Sequence, residues 1–135
     1  MVITHEFTMT LDRRGVTPMI YAVQGDSNTR AVKALLTVGG APYVLPEGVT
    51  ALVAYRTSRG ARGEYSKLSN GADACSVLEN AVTAVLAPEV LIDPGLAYVS
   101  IVLMDKDLDR LSVFGFDVHV ENNPAEGMVL PMMED

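Results

Sequence analysis

Asp105, Asp107 and Asp109 stand at alternate positions, the spacing at which a calcium loop places its first three ligands. Such a loop also needs glycine at its sixth position and glutamate at its twelfth. Arg110 and Phe116 stand there instead, and Phe116 belongs to an alternating apolar run, so the segment is expected to be a solvated hairpin loop. Asp26-Ser27-Asn28 is a weaker version of the same spacing. His5 and His119 are the two histidines and Cys75 the one cysteine, so a closed zinc site would have to be completed by carboxylates. No metal site and no cofactor are expected. Nor is an enzyme: no G-x-S-x-G elbow is present, and nothing marks a serine as activated. Cys75, in a strand-like segment with Ala74 and Val77, reads as an inert strand residue, because a reactive thiol wants electropositive surroundings. A lone cysteine allows no internal disulfide, which fits assembly in a reducing cytoplasm.

The remaining chemistry is recognition. Gln24 to Arg30 hold no apolar residue, between two largely apolar runs. Gly25 can take positive φ at little cost, and Asp26 and Asn28 can bond their own backbone, so this is a polar turn with a mechanism. Asp26 and Arg30 are placed to pair across it. Gln24, Gly25, Asp26 and Arg30 then have two open roles, holding the turn or meeting a partner chain, where the pair could set register. Arg56, Arg59 and Arg62 lie close together and read as a solvated loop. A sugar site wants exposed aromatic platforms. Without tryptophan, and with five tyrosines scattered over different elements, the best candidates are Tyr43 and Tyr65, in loop-like stretches.

Period two, the strand period, positions these groups. Ile3, Phe7, Met9 and Leu11 share one parity, with His5 among them. Val32, Ala34, Leu36 and Val38 form a second face, Val49, Ala51, Val53 and Tyr55 a third, and Val82, Ala84 and Leu86 a fourth. Phe114, Phe116, Val118 and Val120 make the clearest alternation, against Gly115, Asp117 and the exposed-parity His119. Ala97 to Met104 is apolar on nearly both faces, as a central strand covered on both sides would be. Gly39-Gly40-Ala41-Pro42, Leu45-Pro46-Glu47-Gly48, Ser69-Asn70-Gly71, Glu79-Asn80 and Asp93-Pro94-Gly95 supply the turns between runs. The fold expected is an all-β sandwich. One short helical turn is expected near 87–91. Pro88 suits its first position, Pro94 stops it, and Val90 or Leu91 would cap one end of the core.

The chain of 135 residues is sized for one domain, placed at 1–124. Its net charge of -7 disfavours nucleic acid as a partner. No apolar run is long enough for a membrane span, and no signal peptide opens the sequence. Residues 125–135 form an apolar tail or linker that does not alternate: Met128, Val129, Leu130, Met132 and Met133 around Pro131. That tail could fold back onto its own domain, dock on a neighbouring subunit, or mark a cut in a longer chain.

Five pieces in order carry a family resemblance: Tyr21-Ala22-Val23-Gln24-Gly25-Asp26 with Thr29-Arg30; Gly40-Ala41-Pro42-Tyr43 with Leu45-Pro46-Glu47-Gly48; Leu86-Ala87-Pro88 with Val90-Leu91 and Pro94-Gly95; Leu111-Ser112 with Phe114 and Phe116; and Val120-Glu121 with Asn123-Pro124. Together, from about Phe7 to Pro124, they resemble the N-terminal immunoglobulin-like domain of phage baseplate upper proteins, from tailed phages and prophages of Gram-positive bacteria. The resemblance implies an immunoglobulin-like antiparallel β-sandwich in the virion, a baseplate component or adaptor assembled through other tail proteins and copies of itself. The alternative is a host-surface carbohydrate-binding module of a phage tail. Two departures stand out. No coiled-coil or stalk follows the domain, and Arg59-Gly60-Ala61-Arg62-Gly63 is basic where the family leads one to expect a Pro-Asp-Gly type of turn.

Overall fold

The computed structural model describes residues 2–12, 17–26 and 28–123. The boundary at 124 and the tail with Met128, Val129, Leu130, Met132 and Met133 lie outside the described residues. Among those described, the strands are β1 (Ile3–Thr10), β2 (Met19–Val23), β3 (Arg30–Val38), the two-residue β4 (Ala41–Pro42), β5 (Thr50–Arg56), β6 (Arg62–Tyr65), β7 (Cys75–Leu78), β8 (Ala81–Val85), β9 (Gly95–Met104) and β10 (Arg110–Glu121). One sheet runs β1-β3-β8-β7, with β4 on β3; the other runs β2-β10-β9-β5-β6.

Alternation in the sequence becomes the core. Phe114, Phe116, Val118 and Val120 of β10 face inward with Val53, Val99, Ile101 and Leu103, against Val32, Ala34, Leu36, Val82 and Ala84 of the opposite sheet. Phe116 is fully buried, and the Phe7 ring meets it at 5.6 Å with a 56° tilt. Burying each such side chain contributes about 1.5–3 kcal/mol. The helical turn is present as a 3₁₀ turn, Pro88–Leu91, leading from β8 in one sheet to β9 in the other. Both Val90 and Leu91 are fully buried in it.

Two expectations need correction. The sheets are mixed rather than purely antiparallel, because β1 lies parallel to β3 and β2 parallel to β10. A tight hairpin joins only antiparallel neighbours. Here β1 and β2 enter different sheets, so each pairs with a strand from further along the chain. Secondly, β9 is indeed central in its sheet, but only one of its faces is covered: Leu96 is 52% exposed and Tyr98 44%. Flanking strands half-bury Val102 and Met104, which explains the apolar run without a further layer. Among the described residues no helix is long and apolar enough to cross a membrane.

Candidate functional site

Two regions gather the polar and aromatic side chains that could meet another molecule. The first is the corner where β2 ends. Gly25 has φ +89°, as the turn requires. The Asp26 carboxylate accepts from the Val23 amide at 3.0 Å and from Arg30 Nε at 3.2 Å, while the Asp26 amide returns to the Val23 carbonyl at 3.0 Å. Gln24 reaches further. Its Nε2 donates to the Ile92 carbonyl at 3.0 Å, and its Oε1 accepts from the Asn123 amide at 3.2 Å. Asn123 Nδ2 donates to the Gln24 carbonyl at 3.3 Å, and the Gly25 amide to the Leu91 carbonyl at 3.3 Å. Gln24, Gly25, Asp26 and Arg30 thus tie the end of β2 to the 3₁₀ turn and to the exit of β10. A depression of about 430 Å³ lies beside them, lined by Gln24, Gly25, Pro88, Glu89 and Ile92.

The second region is the outer face of the β2-β10-β9-β5-β6 sheet. Register places Met19, Asp117, Tyr98, Arg56 and Arg62 in one row across all five strands. In the adjacent row the Tyr21 and His119 rings meet at 5.5 Å with a 58° tilt, opposite Leu96. Tyr98 lies along the sheet over Gly115, where an added Cβ would overlap the phenol. Arg56 and Arg62, directly opposite each other and both exposed, have no ion pair among the described residues. Their hairpin is nonetheless anchored. Ser58 Oγ donates to the Pro94 carbonyl at 2.6 Å, the Ala61 amide donates to the buried Thr57 Oγ1 at 3.2 Å, and Arg59 stands 4.0 Å from Asp93. The basic turn closes as an ordinary hairpin, with Gly60 at φ +90°. A shallow depression of about 370 Å³ opens among Tyr55, Arg56, Arg62, Tyr98 and Ser100.

The other candidates fall elsewhere. Tyr65 is not in a loop: it ends β6, and its hydroxyl donates to the Val85 carbonyl at 2.7 Å and accepts from the Ala87 amide at 2.9 Å. Burial pushes that phenol well above its ordinary pKa of 10.0. Short β6, broken by Gly63, gives too little alternation to be read as a strand. Tyr43 is half-buried against the core, just after β4, beside Leu11, Leu45 and Leu103. Sequence spacing therefore missed the tyrosines that do stand exposed together, Tyr21 at 58% and Tyr98 at 44%. That both lie on one sheet face follows from strand pairing through β10, which no local spacing marks.

Cys75 is half-buried in β7, and burial, then Asp73, push its thiol up to about 11, the state of an unreactive side chain. His5, on β1, is held below its usual pKa by burial and by Arg30. Asp105 accepts from the Asp107 amide at 2.8 Å and the Asp109 amide at 3.0 Å, which commits its carboxylate to shaping the β9–β10 loop. Among the described residues no three His, Cys, Asp or Glu side chains group as a metal site.

No family model and no curated protein match the chain. Among solved structures, the N-terminal domain of phage TP901-1 ORF48 is similar, with a TM-score of 0.63 at 13% identity, over 87% of this chain and 98% of that one. At that identity the likeness is one of fold, and it spans both sheets.

Proposed function

We propose that this domain is a structural part of a phage tail, a baseplate component or adaptor of the immunoglobulin-like kind, that works by binding other tail proteins and copies of itself, without a catalytic step. The observation that carries the reading is the fold likeness to the N-terminal domain of phage TP901-1 ORF48 over almost the whole chain. The ordered pieces from Tyr21-Ala22-Val23-Gln24-Gly25-Asp26 to Asn123-Pro124 support it from the sequence side. The corner residues give the domain a fixed shape, and the outer sheet face offers a partner unpaired arginines and exposed rings. A stable contact of this kind buries about 1,600 Å². The residues at 128–133 could add to it. Assembly would take place in the host cytoplasm and end in the virion, with neither nucleic acid nor membrane as partner. Mass spectrometry of purified, nuclease-treated phage particles tests the reading. The chain should be present at a fixed ratio to the other tail proteins, and its absence from particles that are otherwise complete would overturn the assignment.

A second reading, a module for host-surface sugar, draws support from Tyr21, His119 and Tyr98 on the open sheet face rather than from Tyr43 and Tyr65. Flat aromatic rings beside polar groups are what a shallow sugar site uses. Glycan-array binding that disappears in Tyr98→Ala would favour it over the scaffold.

A further inference from the structure

We propose that copies of this chain associate head to tail, the Asp107-Leu108-Asp109 loop tip of one copy seating on the outer face formed by Arg56, Arg62 and Tyr98 of the next. This rests on the assembly reading above and names one of its contacts.

The receiving face is built for an anion. Like charges directly opposite on neighbouring strands destabilise a sheet, yet Arg56 and Arg62 are paired in register and share no carboxylate among the described residues. Glu64 and Asp117 stand on the same face, but neither forms an ion pair with them. Two guanidinium groups held on an anchored hairpin can grip carboxylates in the bidentate manner that arginine favours. Tyr98, laid flat by Gly115, adds an apolar surface beside them.

The inserting tip has the complementary pattern. Asp105 is occupied with the Asp107 and Asp109 amides, so the carboxylates of Asp107 and Asp109 are left to face outward, one on each side of Leu108. Leu108 is 73% exposed and has φ +65°. Three-residue hairpin loops ordinarily put glycine at that left-handed position, and a bulky residue there is strained. Nothing in the described chain covers this leucine, so its strain is not offset by packing at home. Lys106 forms no ion pair with either acid among the described residues, and its Cβ lies beside Gly48. An apolar side chain with two acids beside it fits a ring with two arginines beside it, Arg56 next to Tyr98 and Arg62 beyond, while Asp117 stands on the ring's other side.

Geometry excludes a contact within one molecule. The loop leaves one end of β9 and Tyr98 sits near the other, about 20 Å away at the usual strand rise. Two different surfaces meeting in this way form a heterologous contact, which closes into a ring or propagates. At a net charge of -7, copies repel in most orientations, so the unpaired arginines mark where an acidic loop is attracted.

Sedimentation velocity on the full chain tests this contact. Wild type should gain mass with concentration at low ionic strength and lose that gain at high salt. The variants R56E/R62E and D107R/D109R should each associate about tenfold more weakly or worse. Mixing the two should restore association, since each supplies the surface the other lacks. Leu108→Gly should melt at a higher temperature than wild type and yet associate more weakly, which separates docking from folding. A wild type that stays monomeric at every concentration, a charge-reversed variant that associates normally, or a mixture that stays monomeric would overturn the proposal. Detection of the chain in particles tests the assembly reading separately, so a chain found there but monomeric in solution overturns this contact alone.

Discussion

The corner at Gln24 and the sheet face at Arg56 are both polar, both sit near the same end of the sandwich, and they use their polar groups in opposite ways. At the corner, Gln24, Asp26 and Arg30 direct their hydrogen bonds inward to Val23, Ile92 and Asn123. On the face, Arg56 and Arg62 stand opposite each other in register and are both exposed to solvent. The comparison teaches that a polar motif specific enough to support a family resemblance can be the fastening of a fold, while a short basic pair read as a solvated loop can be the surface left open for a partner. Satisfied groups stabilise. Unsatisfied exposed ones are available.

Breaking the satisfied side should have the largest effects. Tyr65→Phe keeps the ring and removes the hydroxyl that serves Val85 and Ala87, and leaves buried backbone groups unpaired. The expected loss is about 1–3 kcal/mol, which thermal unfolding would register at about 3–4 °C per kcal/mol for a chain of this size. Asp26→Ala comes next, at about 1–2 kcal/mol, because the Val23 amide and Arg30 lose their acceptor. A melting temperature unchanged in Asp26→Ala would mean that the corner is not a fastening. On the open face, Arg56→Ala should stay within about 0.5 kcal/mol of wild type, leaning towards stabilisation because a like-charge pair is relieved. A large loss there would show that the arginine is part of the fold.

The smallest effect is a pH slope at His5. Burial and Arg30 lower its pKa below 6.5 in the folded chain. The unfolded chain therefore binds the proton first as pH falls, and stability drops with pH from about 6.5 down to the folded value. Above that window the contribution is fully present. Melting temperatures at pH 7.5 and about 5.5 should fall further apart for wild type than for His5→Gln, and equal differences would dismiss the histidine.

Period two told which side chains of β10 and β3 face the core, because burial needs only parity. Pro88 and Pro94 bracketed the 3₁₀ turn, because proline acts locally. Neighbour choice was not legible. The parallel pairing of β1 with β3 involves residues far apart in sequence, and nothing local marks it. For the same reason the row from Met19 to Arg62 could not be read, since it exists only once five strands are in register. Tyr65 misled because a tyrosine in a short, glycine-broken strand looks like a loop residue until its hydroxyl partners are known. The Gln24 to Arg30 turn was recognised as a turn, but its partners at Ile92 and Asn123 lie on segments that no spacing rule connects to it.

The pairing of β2 with β10 has a consequence for how the molecule is made. Met19 lies opposite Asp117, and Gln24 holds Asn123 across 99 positions of chain. Closure of such a distant pair is slow, because the intervening loop entropy is lost before the contact forms. On the ribosome, β2 waits with an unfilled edge until β10 has left the exit tunnel. From the emergence of β2 to that of β10 the nascent chain thus carries exposed apolar sheet surface, so the domain should depend on chaperones over that stretch of translation.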